Sequence, residues 1–118
     1  MKSAKEFPEI VLYRPFVDMR NQANGLASLV SEDMECDPYR DCLYVFTNKR
    51  RNLLKALYWD QSGFALWTKR LDQERFPWPK GLDEEIIFLS AKDLEFLLEG
   101  FDLWKIRRHK KLQFERFT

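Results

Sequence analysis

Histidine is almost missing from this chain, and cysteine is scarce. His109 stands alone beside two cysteines, Cys36 and Cys42, in 118 residues. A closed structural zinc site takes four Cys or His ligands, one more than the chain has, so no Cys/His zinc site can be completed within it. The cysteines have five residues between them and read as reduced thiols of a cytosolic protein, with a disulfide as the other reading. Long apolar runs are also missing: none approaches the ~20 residues of a membrane-spanning helix. The opening "MKSAKEFPEIVLYR" has no signal-peptide core, and the expectation is a cytoplasmic protein. Glycine numbers only four, and no low-complexity tract or internal repeat occurs, which argues against linker-like, disordered and solenoid chains.

Catalytic signatures are absent too. There is no G-x-S-x-G, P-loop or G-x-G-x-x-G, the patterns that present a nucleophile or cradle a phosphate. Metal-dependent nucleases of the restriction type carry Asp/Glu-x-Lys on a strand, and no lysine here has an acid two residues before it. The adjacent carboxylates of "DEE" (83–85) read as a solvated loop rather than a metal cluster. His109 lies within "RRHKK", where a solvated basic strip accounts for it without a base's role. The expectation is a protein that is not an enzyme and needs neither cofactor nor metal.

What is present is a core and an uneven charge. Hydrophobic residues make up 45% and aromatics 15% of the chain, enough for one domain over 1–118. The net charge of +1 hides four blocks: −3 over residues 1–46, +5 over 47–80, −6 over 81–104 and +5 over 105–118. A fold can pair these blocks internally or gather the two basic ones into a patch.

The elements follow from periodicity. "EIVLYR" (9–14) reads as a strand ended by Pro15. Met19, Ala23, Leu26 and Val30 recur at helical spacing, with Asp18 as N-cap and Gly25 marking close packing against a sheet. "DPYRD" (37–41) is a turn. "CLYVFT" (42–47), "LLKALYW" (53–59) and "FALWTKRL" (64–71) are strands, joined by the polar loop "NKRRN" (48–52) and the tight hairpin "DQSG" (60–63). They form an antiparallel meander. If Trp59 faces Phe64, then Leu57, Lys55, Leu66, Thr68 and Arg70 share their face, and Tyr58, Ala56, Leu54, Ala65, Trp67 and Lys69 share the other. Both faces are apolar near the turn, so the sheet needs two covers: one helix, and then the C-terminal helix, a curled sheet or a second subunit. "FPWPKG" (76–81) is a stiff connector, and "LDEEIIFL" (82–89) reads equally as a short strand or an acidic loop. "SAKDLEFLLEGFD" (90–102) is a helix with Ser90 and Asp93 as a capping box, Leu94, Leu97, Leu98 and Phe101 as its buried stripe, and Gly100 as its stop. The tail is basic. The predicted class is α+β, an antiparallel meander packed with two helices in the order β-α-β-β-β-loop-α.

Within this frame Lys49, Arg50, Arg51, Lys55, Lys69 and Arg70 lie on or beside one sheet. Arg107, Arg108, Lys110 and Lys111 form a second basic cluster. Cations at this density suit phosphate neutralisation, and aromatics beside them can stack on bases. Trp59, Trp67 and Phe64 also suit a hydrophobic core, and a basic hairpin loop also suits plain solvated surface.

The order of short motifs is more specific than any one of them. Asp18–Arg20 ("DMR"), Asp37–Pro38, Phe46–Arg50 ("FTNKR"), Lys55–Gly63 ("KALYWDQSG"), Lys69–Leu71 ("KRL"), Phe76–Pro79 ("FPWP") and Leu97–Gly100 ("LLEG") follow one another. Over residues 10 to about 104 this string resembles the accessory protein encoded by the second open reading frame of insertion-sequence-66 elements, often called TnpB. Two positions depart: Asn21–Gln22 stand where the family usually has Lys-Gly, and Glu74 where a glycine often stands. The resemblance implies a bacterial, non-catalytic accessory protein of transposition whose chemistry belongs to a separate transposase. Together with the two basic blocks it makes DNA at the element ends the expected partner. The two-faced apolar sheet and the acidic 81–104 segment suit the transposase or a sister accessory protein, and edge strands with an uncovered sheet face suit a second copy of the chain. The resemblance supplies no catalytic residues.

Overall fold

The computed structural model describes residues 3–81 and 83–104. Its elements are β1 (Glu9–Tyr13), α1 (Ala23–Glu32), β2 (Cys42–Thr47), β3 (Leu53–Trp59), β4 (Phe64–Arg70), β5 (Ile86–Leu89) and α2 (Ala91–Glu99). The expected α+β class holds. The five strands make one sheet in the order β4-β3-β2-β1-β5. The meander β2-β3-β4 is antiparallel, and Trp59 pairs with Phe64 as the hairpin spacing predicts. The sheet as a whole is mixed, because β1 lies parallel to β2. A parallel neighbour needs a crossover, and the segment carrying α1 is long enough to supply it. The ambiguous stretch before Ser90 resolves into β5, antiparallel to β1 on its free side.

β1 and β2 are central and covered on both faces, which explains their unbroken apolar runs. Every residue of β2 is buried. On one face Val11, Tyr13, Tyr44, Phe46 and Leu57 meet Leu26, Ala27 and Val30 of α1. On the other, Leu12, Leu43, Val45, Leu54 and Ala56 meet Leu94 and Leu97 of α2, with Phe76, Trp78, Leu103 and Trp104 beside them. The second cover is therefore the C-terminal helix together with the proline-stiffened connector. Two indoles are tied by their N–H groups, Trp78 Nε1 donating to the Arg14 carbonyl (2.9 Å) and Trp104 Nε1 to that of Pro77 (2.6 Å).

Local chemistry sets the ends of α2. Ser90 Oγ accepts from the Asp93 N–H and the Asp93 carboxylate accepts from the Ser90 N–H, completing the capping box. At the other end Gly100 takes φ +87°. Its N–H donates to Leu97 and that of Phe101 to Phe96, the bond pair of a Schellman motif. Phe101 therefore departs from the expected buried stripe. It is 57% exposed, because the left-handed residue turns the chain off the helix axis before Phe101 can reach the sheet. It packs edge-on against Phe96 instead, at 5.9 Å.

The start of α1 also departs from expectation. Asp18 is not its N-cap; the helix begins at Ala23, after Gln22, with no side-chain cap bond. Asp18 closes a separate turn, its Oδ1 accepting from the Arg20 N–H and its carbonyl from the Asn21 N–H. The physical reason is Lys55, whose ammonium takes the Met19 and Asn21 carbonyls. A helix begun at Asp18 would direct those carbonyls to N–H groups four residues on. Gly25 makes its close approach to this turn and not to the sheet: a Cβ there would lie 2.5 Å from Asn21 Oδ1.

Candidate nucleic-acid interface

The registers place the ends of β1, β2 and β4 and the starts of β3 and β5 at one end of the sheet. The segments that emerge there, 14–22, 48–52 and 71–85, carry many of the chain's cations.

The loop between β2 and β3 is held from several sides. Asn48 Oδ1 accepts from the N–H groups of Asn52 and Leu53, and its Nδ2 donates to Asn52 Oδ1 at 2.8 Å. Arg51 adopts φ +58°, and its N–H returns to the Asn48 carbonyl. From outside, Phe76 and Leu71 donate to the carbonyls of Arg51 and Asn52 at 2.7 and 2.8 Å. These bonds fix the backbone from which the loop's side chains leave. Lys49 and Arg50 project from it into solvent with no ion pair among the described residues. Arg51 is half-buried, while Arg70 and Arg75 are exposed nearby.

The Asp18–Arg20 turn stands beside this loop. The Val17 N–H donates to the Thr47 carbonyl at 3.0 Å, and residues 17–20 and 48–50 line one shallow depression. Arg20 grips Asp18 through both Nε and Nη2, the shortest contact being 2.5 Å. These hydrogen bonds hold the Asp18 carboxyl down at about 2 and push the Arg20 guanidinium up. Asp18 therefore stays ionised and masks part of the Arg20 charge.

Other sequence-picked cations sit differently. Lys55 is only 5% exposed, and its ammonium donates at 2.8 Å to the Met19 and Asn21 carbonyls. It builds the turn from beneath and offers no charge to a surface ligand. Lys69 is half-buried, its Nζ donating to the Leu98 carbonyl in the last turn of α2 at 2.9 Å, where the helix dipole favours a cation. Arg14 reaches the carbonyls of Asp83 and Glu84. Arg107, Arg108, Lys110 and Lys111 of the basic tail, and His109 between them, lie outside the described residues. Sequence reasoning did not weigh Arg75 or Arg20 as ligands. Arg20 was legible, since it closes the Asp18–Arg20 motif. Lys55 was legible as well: a lysine amid Leu54, Ala56 and Leu57 in a two-faced apolar strand signals a buried ammonium.

The convergence joins separate motifs. Asp18–Arg20 and Phe46–Arg50 form the two sides of one depression, and the first residue of Lys55–Gly63 holds the first side in place. A model of the family described as "IS66 Orf2 like protein" matches residues 8–108. The chain belongs to this family. IS66 Orf2-like proteins are accessory proteins associated with transposition and are not a known catalytic family. Two relatives come from Sinorhizobium fredii. One, uncharacterized protein y4jC, is 35% identical over 92 residues, or 78% of each chain. Another, uncharacterized protein y4hO, is 39% identical over 88 residues, or 75% of each chain. No solved structure matches the chain. Among the described residues of this IS66 Orf2-like protein no helix is long and apolar enough to cross a membrane, and no three His, Cys, Asp or Glu side chains gather where a metal ion could sit.

Proposed function

We propose that this accessory protein contacts DNA at the ends of its element through the basic end of the sheet, leaving the chemistry to the separate transposase. The observation that carries the reading is the hydrogen-bonded loop presenting Lys49 and Arg50, unpaired among the described residues, beside the Asp18–Arg20 turn. Arg51, Arg70 and Arg75 extend the basic surface, and the tail cations Arg107, Arg108, Lys110 and Lys111 are proposed to add to it. Arginine matches a phosphate with two parallel N–H groups, and each neutralised phosphate releases condensed counterions. Phe16, exposed in the segment that follows β1, supplies a ring for a base or sugar. Lys55 and Lys69 serve as internal anchors.

The test is a titration of the full chain against a terminal inverted repeat and an unrelated duplex at several salt concentrations. Affinity is expected to fall steeply with salt. Lys49→Ala with Arg50→Ala should lower the logarithmic slope by about 2, roughly one per phosphate contact. No binding at low salt, or a slope that the double substitution leaves unchanged, would sink the reading. A second reading, a protein-interaction factor that organises the transposase without touching DNA, is favoured by the exposed aromatic rings at the opposite end of the sheet.

A further inference from the structure

The β3–β4 hairpin turns at the end of the sheet away from the basic loops. There Tyr39, Trp59 and Phe64 form a triangle of rings with centroids 5.0, 5.3 and 5.0 Å apart. Tyr39 is 58% exposed, although an aromatic ring gains by leaving water. Its turn keeps it there: the Tyr39 N–H donates to Asp37 Oδ1 (2.9 Å), and the Tyr44 hydroxyl ties down the Asp37 carbonyl (2.8 Å). Tyr39 and Phe64 continue into a groove along α1, past Ala27, Ser31 and Cys36.

The charge lining this groove has one sign. Glu32 and Asp37 line it, and no lysine or arginine does. Asp33, Glu35, Asp41 and Asp60 are exposed on the adjoining chain. The neighbouring Arg40 is paired with Glu9.

We propose that this groove receives a basic, extended segment of a partner protein, an Arg or Lys side chain resting on the Tyr39–Trp59–Phe64 rings and its neighbours facing Glu32 and Asp37. An aromatic face attracts a cation, and attraction grows as water leaves. Complementary charge on the rim guides and selects the partner. Alternative occupants fit poorly. Phosphate backbones are repelled by the acids. A two-fold contact with a second copy sets acids against acids. A purely apolar partner strips water from Glu32 and Asp37 without replacing it. The inference is independent of the DNA reading, which concerns the other end of the molecule.

The experiment uses the full chain, isotopically labelled, and a short synthetic peptide of alternating Arg and Leu, with a Glu/Leu peptide as counterpart. The Arg/Leu peptide should shift the Trp59 indole N–H resonance and the backbone resonances of residues 37–39. Tyr39→Ala should weaken it about tenfold, equivalent to ~1.4 kcal/mol, while Tyr39→Phe, which keeps the ring, should retain it. Glu32→Gln should weaken it less and flatten its salt dependence. Lys49→Glu with Arg50→Glu, which would abolish DNA binding under the reading above, should leave peptide binding intact. The proposal is overturned if the Glu/Leu peptide binds equally well, if the shifts map away from the three rings, or if Tyr39→Ala binds like the parent. It is also overturned if sedimentation shows self-association that Tyr39→Ala abolishes, since the groove then belongs to a second copy.

Discussion

Lys55 and Met19 meet across 36 positions of chain, the lysine ammonium donating to the methionine carbonyl at 2.8 Å. The same ammonium holds the Asn21 carbonyl. One buried strand residue thereby sets the shape of a surface turn that stands against the basic loop carrying Lys49 and Arg50.

Removing this ammonium should be expensive. Lys55→Met keeps the apolar stem and leaves two carbonyls without their donor. A fully buried orphaned group costs about 1–3 kcal/mol. These two carbonyls are part-buried, so a loss towards the low end of the two-group sum, about 2–4 kcal/mol, is expected, read as a lower urea midpoint. The amide resonances of residues 18–21 should move with it. A change within ~0.5 kcal/mol, the range of ordinary surface substitutions, would show that water replaces the ammonium without penalty.

Asp18 gives a pH signature of definite sign. Its folded value, about 2, lies below the ~3.9 of an unfolded aspartate. Its contribution is therefore complete above ~3.9 and disappears as pH falls through about 2. Asp18→Asn should remove that dependence, so the melting-temperature difference between parent and variant should shrink across this window. Carboxyl carbon NMR provides the direct check. An Asp18 midpoint near the unfolded value would refute the Arg20 clamp in solution.

Gly100 should resist replacement. At φ +87° an L side chain is strained, and a Cβ would meet Glu74 Oε2 at 3.4 Å. Gly100→Ala should lower stability by about 1–2 kcal/mol. Ser90→Ala at the other end of α2 should cost about 1 kcal/mol through loss of the cap. Because the two ends share no hydrogen bond, the double variant should show nearly additive losses in denaturant titrations. A Gly100→Ala protein as stable as the parent would mean the helix ends differently in solution.

The two thiols should differ in reactivity. Burial pushes the Cys42 thiol up to about 11 and also raises Cys36. Cys42 is fully buried and Cys36 only partly so. Under native conditions at mildly alkaline pH, alkylation followed by mass spectrometry should label Cys36 first and reach Cys42 only on unfolding, since the thiolate is the reactive form. Equal labelling rates would indicate that the start of the central strand β2 opens readily.

Strand pairing was readable where it was local. The Trp59–Phe64 register follows from a four-residue turn, and the alternation beyond it correctly sorted Leu57 from Ala56. The caps of α2 were readable for the same reason, since Ser90, Asp93 and Gly100 act within one helical turn of themselves. Phe101 was misplaced because a periodic stripe ignores the left-handed residue just before it. Asp18 was misplaced because a good N-cap residue also closes an isolated turn, and Lys55, distant in sequence, decided between the two.

The residues alone determined the family, the α+β class, the hairpin and the helix stops. Each depends on local spacing, on a run of motifs, or on hydrogen bonds between near neighbours. Tertiary structure decided that β1 runs parallel to β2, that Arg20 stands beside Lys49 and Arg50, and that Lys55 serves the interior. Those outcomes depend on which strand lies next to which, a choice made by burying both faces of one sheet at once. The same packing left Tyr39 in water at the far end of the molecule.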